Sequence, residues 1–194
     1  MNLLNSLDAQ VNFECTKCGA CCREESILVT LTGRDLTRIS MALGLNTNEL
    51  IRALDFYISD GINSLDGLRD FPALSTEKGP AYIALKKMEN GDCIFLKENL
   101  CMIHAIRPVV CMSFPFVFQD EEDQRKWGLS AMKHICPGLG SGPKVLESEL
   151  IKLADTVLEA LFVFREFAEE WNKKDEVSAE KLIDTILSDS RFSV

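Results

Sequence analysis

Four cysteines stand within eight residues at Cys15-Thr16-Lys17-Cys18-Gly19-Ala20-Cys21-Cys22, and no other feature narrows the possible folds as much. Two cysteines separated by two residues let one tight turn aim both sulfurs at a single ion, with backbone N–H groups pointing at the same sulfurs. Gly19 follows Cys18 where a positive φ is useful to such a turn. Cys21 or Cys22 then begins a second metal-binding turn. Adjacent side chains point in different directions, so one of this pair is free to serve another site or to stay unligated. Reading the four as small buried hydrophobes is the plainer alternative, but chance rarely gathers four cysteines into eight residues.

The redox setting decides what all eight cysteines mean. The start, Met1-Asn2-Leu3-Leu4-Asn5-Ser6-Leu7-Asp8, has neither a basic n-region nor an apolar h-region, so no signal peptide is expected. No apolar run reaches the ~20 residues that a membrane span needs, so no membrane partner is expected. The expected compartment is the cytoplasm, where thiols are kept reduced. A chain of 194 residues with 46% hydrophobic content can bury a core without disulfide staples. Reduced thiols in tight clusters then read as ligands. With 30 acidic against 21 basic residues, a net charge of −9 and no Lys/Arg-rich run, nucleic acid is not an expected partner.

The other four cysteines lie further apart, each in a turn-rich setting: Gly91-Asp92-Cys93, Asn99-Leu100-Cys101, Arg107-Pro108-Val109-Val110-Cys111 and Cys136-Pro137-Gly138. Loops of this kind can wrap an ion where a regular helix or strand cannot. Eight thiolates suit two closed four-cysteine zinc sites, or one or two 4Fe-4S clusters. The Cys15-x2-Cys18-x2-Cys21 run with a remote Cys136-Pro137 has the pattern of bacterial ferredoxins, where proline follows the distant ligand. That detail favours an iron–sulfur cluster, with zinc as the alternative. His104 and His134, the only histidines, both lie near cysteines. Either can complete a site or donate a hydrogen bond to a thiolate from behind it. Arg107 and Lys133 are candidates to bond anionic sulfur, or equally to brace the surface in ion pairs.

The expected fold class is α+β, mostly helical, with a small irregular sheet, a loop-rich metal-binding core and a long C-terminal amphipathic helix. Thr32 caps a helix through about Leu43, stopped by Gly44, and Asn46 with Glu49 opens a second through Leu50, Leu54 and Tyr57. Gly61, Asn63, Gly67 and Pro72 break the chain. Tyr82–Leu85 and Cys93–Leu96 read as partner strands around an Asn90-Gly91 turn, and Trp127–Ser130 as another strand. Pro108 and Pro115 forbid one continuous helix between Cys101 and Phe118, and Asp120–Asp123 reads as a solvated loop. Leu146, Leu150, Leu153, Val157, Leu161, Phe164 and Ala168 recur at helical spacing up to about Trp171. Ser178 caps a last short helix. The face with Leu161, Phe162, Phe164, Phe167 and Trp171 reads as core. Two units are expected, a cysteine-cluster domain over 1–143 and a helical segment over 144–194 packed on it.

Taken in order, Cys15-x2-Cys18-Gly19-x-Cys21-Cys22, Cys93-x-Phe95-Leu96, Cys101-x-Ile103, Arg107-Pro108-x2-Cys111, Phe114-Pro115 and Cys136-Pro137-Gly138 resemble the YkgJ-like CxxCxxCC cysteine-cluster family, zinc- or iron-chelating domains. The resemblance covers Cys15 to about Gly142, roughly two-thirds of the chain. The cysteine region is also similar to that of the flagellin lysine N-methylases, which are thought to carry an iron–sulfur cluster. That similarity implies ligand roles for Cys15, Cys18, Cys21, Cys22, Cys93, Cys101, Cys111 and Cys136. It does not carry methylation over, because those proteins are larger. His104 departs from the pattern, where an aromatic residue is common, which weakens it as a ligand. The first functional expectation is a metal-binding module whose centre is structural or redox-active and serves a protein partner. The second is an enzyme, either a protein methyltransferase or a cluster-based oxidoreductase, and the third a thiol-redox or metal-trafficking protein using Cys21 and Cys22. The sequence contains no Gly-x-Gly-x-x-Gly, phosphate loop, His-Glu-x-x-His or nucleophile elbow.

Overall fold

A computed structural model describes residues 3–4, 11–59, 71–121 and 124–193. Strands β1 (Leu3–Leu4) and β2 (Asn12–Phe13) precede a single helical turn, α1 (Ala20–Arg23). Helices α2 (Gly33–Leu43) and α3 (Thr47–Ile51) lead into β3 (Leu54–Ile58), β4 (Leu74–Thr76) and β5 (Gly79–Leu85). A small hairpin, β6 (Leu96–Lys97) and β7 (Leu100–Cys101), is followed by α4 (Val109–Ser113), β8 (Phe116–Glu121), β9 (Gln124–Leu129) and β10 (Leu139–Lys144). Two helices close the chain, α5 (Glu147–Trp171) and α6 (Ala179–Ser188). The class is α+β, with helices predominating over four small antiparallel sheets among the described residues.

Local chemistry accounts for the helix ends. Thr32 and Asp35 form a reciprocal capping box at the start of α2, and Gly44 ends that helix in the left-handed conformation. Asn46 and Glu49 do the same for α3, and the Ser178 hydroxyl accepts from the Lys181 N–H at the start of α6.

Several expectations are corrected. The helix opened by Asn46 is one short stretch, and Leu54 and Tyr57 belong to β3. Leu54–Ile58 pairs residue for residue with Ala81–Leu85, and that sheet pairing overrides the local helical spacing. Cys93–Leu96 does not form a strand against Tyr82–Leu85. β3 fills one edge of β5, while β4 and then Val29–Leu31 fill the other, so no edge remains for it. Asp120 and Glu121 lie within β8 rather than in a loop. Phe162 is 58% exposed, unlike Phe164, Phe167 and Trp171 beside it. Gly61, Asn63, Gly67, Glu122 and Asp123 lie outside the described residues.

The main core joins the sheet centre (Leu31, Leu74, Ile83, Leu85) to α2, α6 and the second half of α5. Phe192 from the C-terminus meets Phe164 and Phe167 edge-on, at centroid distances of 6.1 and 5.3 Å. Trp171 Nε1 donates to the Ser75 carbonyl at 2.9 Å, tying α5 to β4. The first half of α5 uses Leu150 to cover a second cluster, Phe116 with Trp127. One long helix thus braces both the helical core and the β8–β9 hairpin. No helix among the described residues is long and apolar enough to cross a membrane.

Candidate metal centre

The Cys15–Cys22 segment is a turn that becomes helical only at its end. Lys17 and Gly19 take left-handed conformations, with φ of 54° and 69°. At Gly19 a side chain is barred twice over. A Cβ there would lie 2.6 Å from the Asn99 carbonyl oxygen and 2.9 Å from Leu96 Cδ1. The β6–β7 hairpin therefore rests directly on the glycine. Arg23 locks this contact, donating from Nη1 to Asn99 Oδ1 at 2.6 Å and from Nη2 to the Cys18 carbonyl at 2.9 Å. Cys101, at the end of that hairpin, is held against the Cys18 turn as a result. Gly19→Ala should cost about 1–2 kcal/mol from its backbone conformation alone. The added methyl also pushes the hairpin away, so the thermal midpoint should fall and Cys101 should alkylate faster than in the parent.

Three further tethers bring in the remaining cysteines. The Cys93 N–H donates to the Cys22 carbonyl at 2.8 Å, and Lys87 Nζ, beside that contact, donates to the Glu24 carbonyl at 2.9 Å. Cys136 ends a turn whose neighbour, Gly138, accepts from the Glu14 N–H at 3.3 Å, which sets it beside Cys15. Cys111 rides on α4, whose first N–H, at Val109, donates to Asp35 Oδ1 at 3.1 Å. Asp35 also takes Arg38 Nη2 at 2.6 Å, and Arg38 in turn donates to the carbonyls of Ile106 and Arg107 at 3.2 and 2.9 Å. Asp35, Arg38 and Lys87 are positioning residues that the sequence reading did not single out. The signal for the first two lay in Thr32-x-x-Asp35 followed by a basic residue three positions on.

All eight cysteines face one or other of two adjoining cavities. The outer, of about 60 Å³, is lined by Cys15, Cys18, Cys21, Cys22, Cys101, Cys111 and Cys136, together with His104 and Lys17. The inner, of about 40 Å³, is lined by Cys21, Cys22, Cys93, Cys101 and Cys111 and by aliphatic walls such as Val29, Leu85 and Ile103. Every one of these cysteines is a free thiol. Neither lining contains a carboxylate, so the donor set is soft and suits zinc or iron rather than magnesium or calcium. Among the described residues no three His, Cys, Asp or Glu side chains are already drawn together as the ligands of one metal ion. Each cavity is several times the ~10–15 Å³ that a single water-sized sphere occupies. The residues present fit a thiolate-bound zinc or iron group.

The thiols differ in how readily they ionise. Cys22 lies in hydrogen-bonding contact with both Cys21 and Cys101. Its S–H lowers Cys101 to about 6, helped by the Ile103 N–H and the charge of Arg107, and lowers Cys21 to about 7. The same two contacts push Cys22 itself up. The Thr16 hydroxyl and Ala20 N–H lower Cys18. Burial raises Cys93, Cys111 and Cys136, with the largest effect at Cys111. Cys18, Cys21 and Cys101 are thus poised to bind as thiolates, while Cys93, Cys111 and Cys136 need a cation to ionise. His104 is lowered by desolvation and then by Arg107 and Lys17, so its imidazole is neutral at physiological pH. Arg107 Nη1 lies 3.1–3.2 Å from both His104 ring nitrogens. His134 is exposed and lines neither cavity.

No curated protein and no solved structure matches the chain. A family model does match, over residues 14–137, and its description is "CxxCxxCC: Putative zinc- or iron-chelating domain". That span takes in every cysteine and both cavity linings up to Pro137. The chain belongs to the CxxCxxCC family of zinc- or iron-chelating domains.

Proposed function

We propose that Cys15, Cys18, Cys21, Cys22, Cys93, Cys101, Cys111 and Cys136 supply the thiolate ligands of one or two 4Fe-4S clusters, and that this metal centre serves a protein partner structurally or in electron transfer. One observation carries the reading. Eight free thiols, four from the Cys15–Cys22 segment and four from distant parts of the chain, line two adjoining spaces that are free of carboxylates. A four-iron cluster places a separate iron behind each thiolate and so accepts sulfurs further apart than zinc does, at ~2.3 Å Zn–S distances. The ferredoxin-like Cys15-x2-Cys18-x2-Cys21 with Cys136-Pro137 adds support. A cytoplasmic setting fits these free thiols, which an oxidising compartment would tend to pair. Side chains of this chain bind the group, shield it with Val29, Leu85 and Ile103, and offset its negative charge with Arg107 and Lys17. An ultraviolet–visible spectrum of anaerobically purified protein tests the reading. A broad band near ~400 nm that bleaches with dithionite is expected, whereas a colourless zinc-loaded protein would overturn the iron assignment.

A further inference from the structure

Two features sort the eight cysteines, and cavity lining sorts only half of them, because Cys21, Cys22, Cys101 and Cys111 line both spaces. The first is packing. Cys93 belongs to the main apolar core, and Cys22, Cys101 and Cys111 pack against it. Cys136 belongs to another cluster, with Ala131 and Leu139. The second is the cavity each one faces: Cys15, Cys18 and Cys136 line only the outer space, and Cys93 lines only the inner. Cys21 and Cys22 stand at the wall between. As successive residues of a helical turn they project about 100° apart, and of the two only Cys22 packs against the main core.

One backbone bond joins two of the residues on the core side. The Cys93 N–H donates to the Cys22 carbonyl at 2.8 Å. Building on the metal-binding reading above, we propose that the chain holds two separate four-thiolate centres: an outer one on Cys15, Cys18, Cys21 and Cys136, and an inner one on Cys22, Cys93, Cys101 and Cys111.

Each set supplies the full ligand complement of one 4Fe-4S cluster or one structural zinc. The adjacent pair Cys21-Cys22 then has a purpose, contributing one sulfur to each side of a shared wall. The two centres meet different surroundings. Cys15 and Cys18 are exposed, so the outer centre is open to solvent and to a partner. The inner centre is walled by aliphatic side chains of the main core and exchanges slowly.

The native protein permits a direct test. Protein as isolated is treated with a chelator, and alkylated cysteines are mapped by peptide mass at successive times. Cys15, Cys18, Cys21 and Cys136 should become reactive as one group with loss of about half the metal, and Cys22, Cys93, Cys101 and Cys111 as a second, slower group. Cys18→Ser and Cys93→Ser, checked for a parental circular dichroism spectrum, should each retain about half the metal. Eight cysteines reacting as one group, or a folded single variant that keeps all or loses all of its metal, would overturn the partition while leaving metal binding intact. A parent protein holding neither iron nor zinc would instead remove the reading on which the partition rests.

Discussion

Asp35→Ala should destabilise the protein by about 3–5 kcal/mol, because it removes the acceptor of a buried ion pair and orphans the donors around it. Asp35 is fully buried, and its carboxylate accepts from the Thr32 N–H at 3.0 Å, the Thr32 hydroxyl at 2.9 Å, the Val109 N–H at 3.1 Å and Arg38 at 2.6 Å. Burial pushes the carboxyl above its ordinary value, and these donors oppose that push. With the carboxylate gone, Arg38 keeps its bonds to the Ile106 and Arg107 carbonyls but loses its counter-charge. The N-terminus of α4 loses its anchor at the same time, so Cys111 should shift from both cavities. Urea unfolding gives the stability change through the midpoint at constant slope. Asp35→Asn, which retains an oxygen for Val109, should fall between the parent and Asp35→Ala. A midpoint unchanged in Asp35→Ala would show that the buried pair does not organise this region.

Removing the metal should have the larger effect, and a local one. Where a thiolate site forms only in the folded chain, metal-binding free energy is folding free energy, about 10–16 kcal/mol in zinc-finger peptides. The residues that depend on it are those around 13–24, 93–113 and 131–144, of which 93–113 is also held to the main core through Cys93 and Ile103. Phe164, Phe167 and Phe192 meet ring to ring, contacts that include no residue of the cysteine stretches. Hydrogen exchange before and after chelation should therefore show lost protection in the three loops, with α2, α5 and α6 retained. Equal protection with and without metal would mean that the loops are held by protein contacts alone.

Much of the helical frame was legible because its signals are local. Thr32 and Gly44 bound α2 where their chemistry indicates, Ser178 starts α6, and the repeat from Leu150 to Ala168 marks α5. What escaped local reading depends on partners distant in sequence. Asn46-Glu49 starts a helix, yet nothing nearby says that Leu54–Ile58 will be taken by β5. Cys93–Leu96 has strand-like residues, but both edges of β5 were already filled. Phe162 follows Leu161 on a long helix, and only the placement of its neighbours shows that its own side faces outward.

The site divides in the same manner. The turn at Cys15–Cys22 and the left-handed Gly19 could be read from spacing alone. Which thiol meets which could not. That depends on Arg23 reaching Asn99, on Asp35 reaching Val109 and on Gly138 approaching Glu14, contacts spanning 76, 74 and over a hundred residues. Asp35 illustrates the difficulty most clearly. In sequence it is one half of an ordinary capping box, whereas in the fold its second oxygen also anchors the helix that carries Cys111.

The most direct test of the account is to count iron, zinc and acid-labile sulfide per chain in protein purified without oxygen, with free thiols titrated after denaturation. Iron and sulfide in near-equal, multi-atom amounts, and eight thiols recovered once the metal is stripped, are expected. Protein that is folded and monodisperse yet holds neither iron nor zinc, or that yields its cysteines as disulfides, would contradict it.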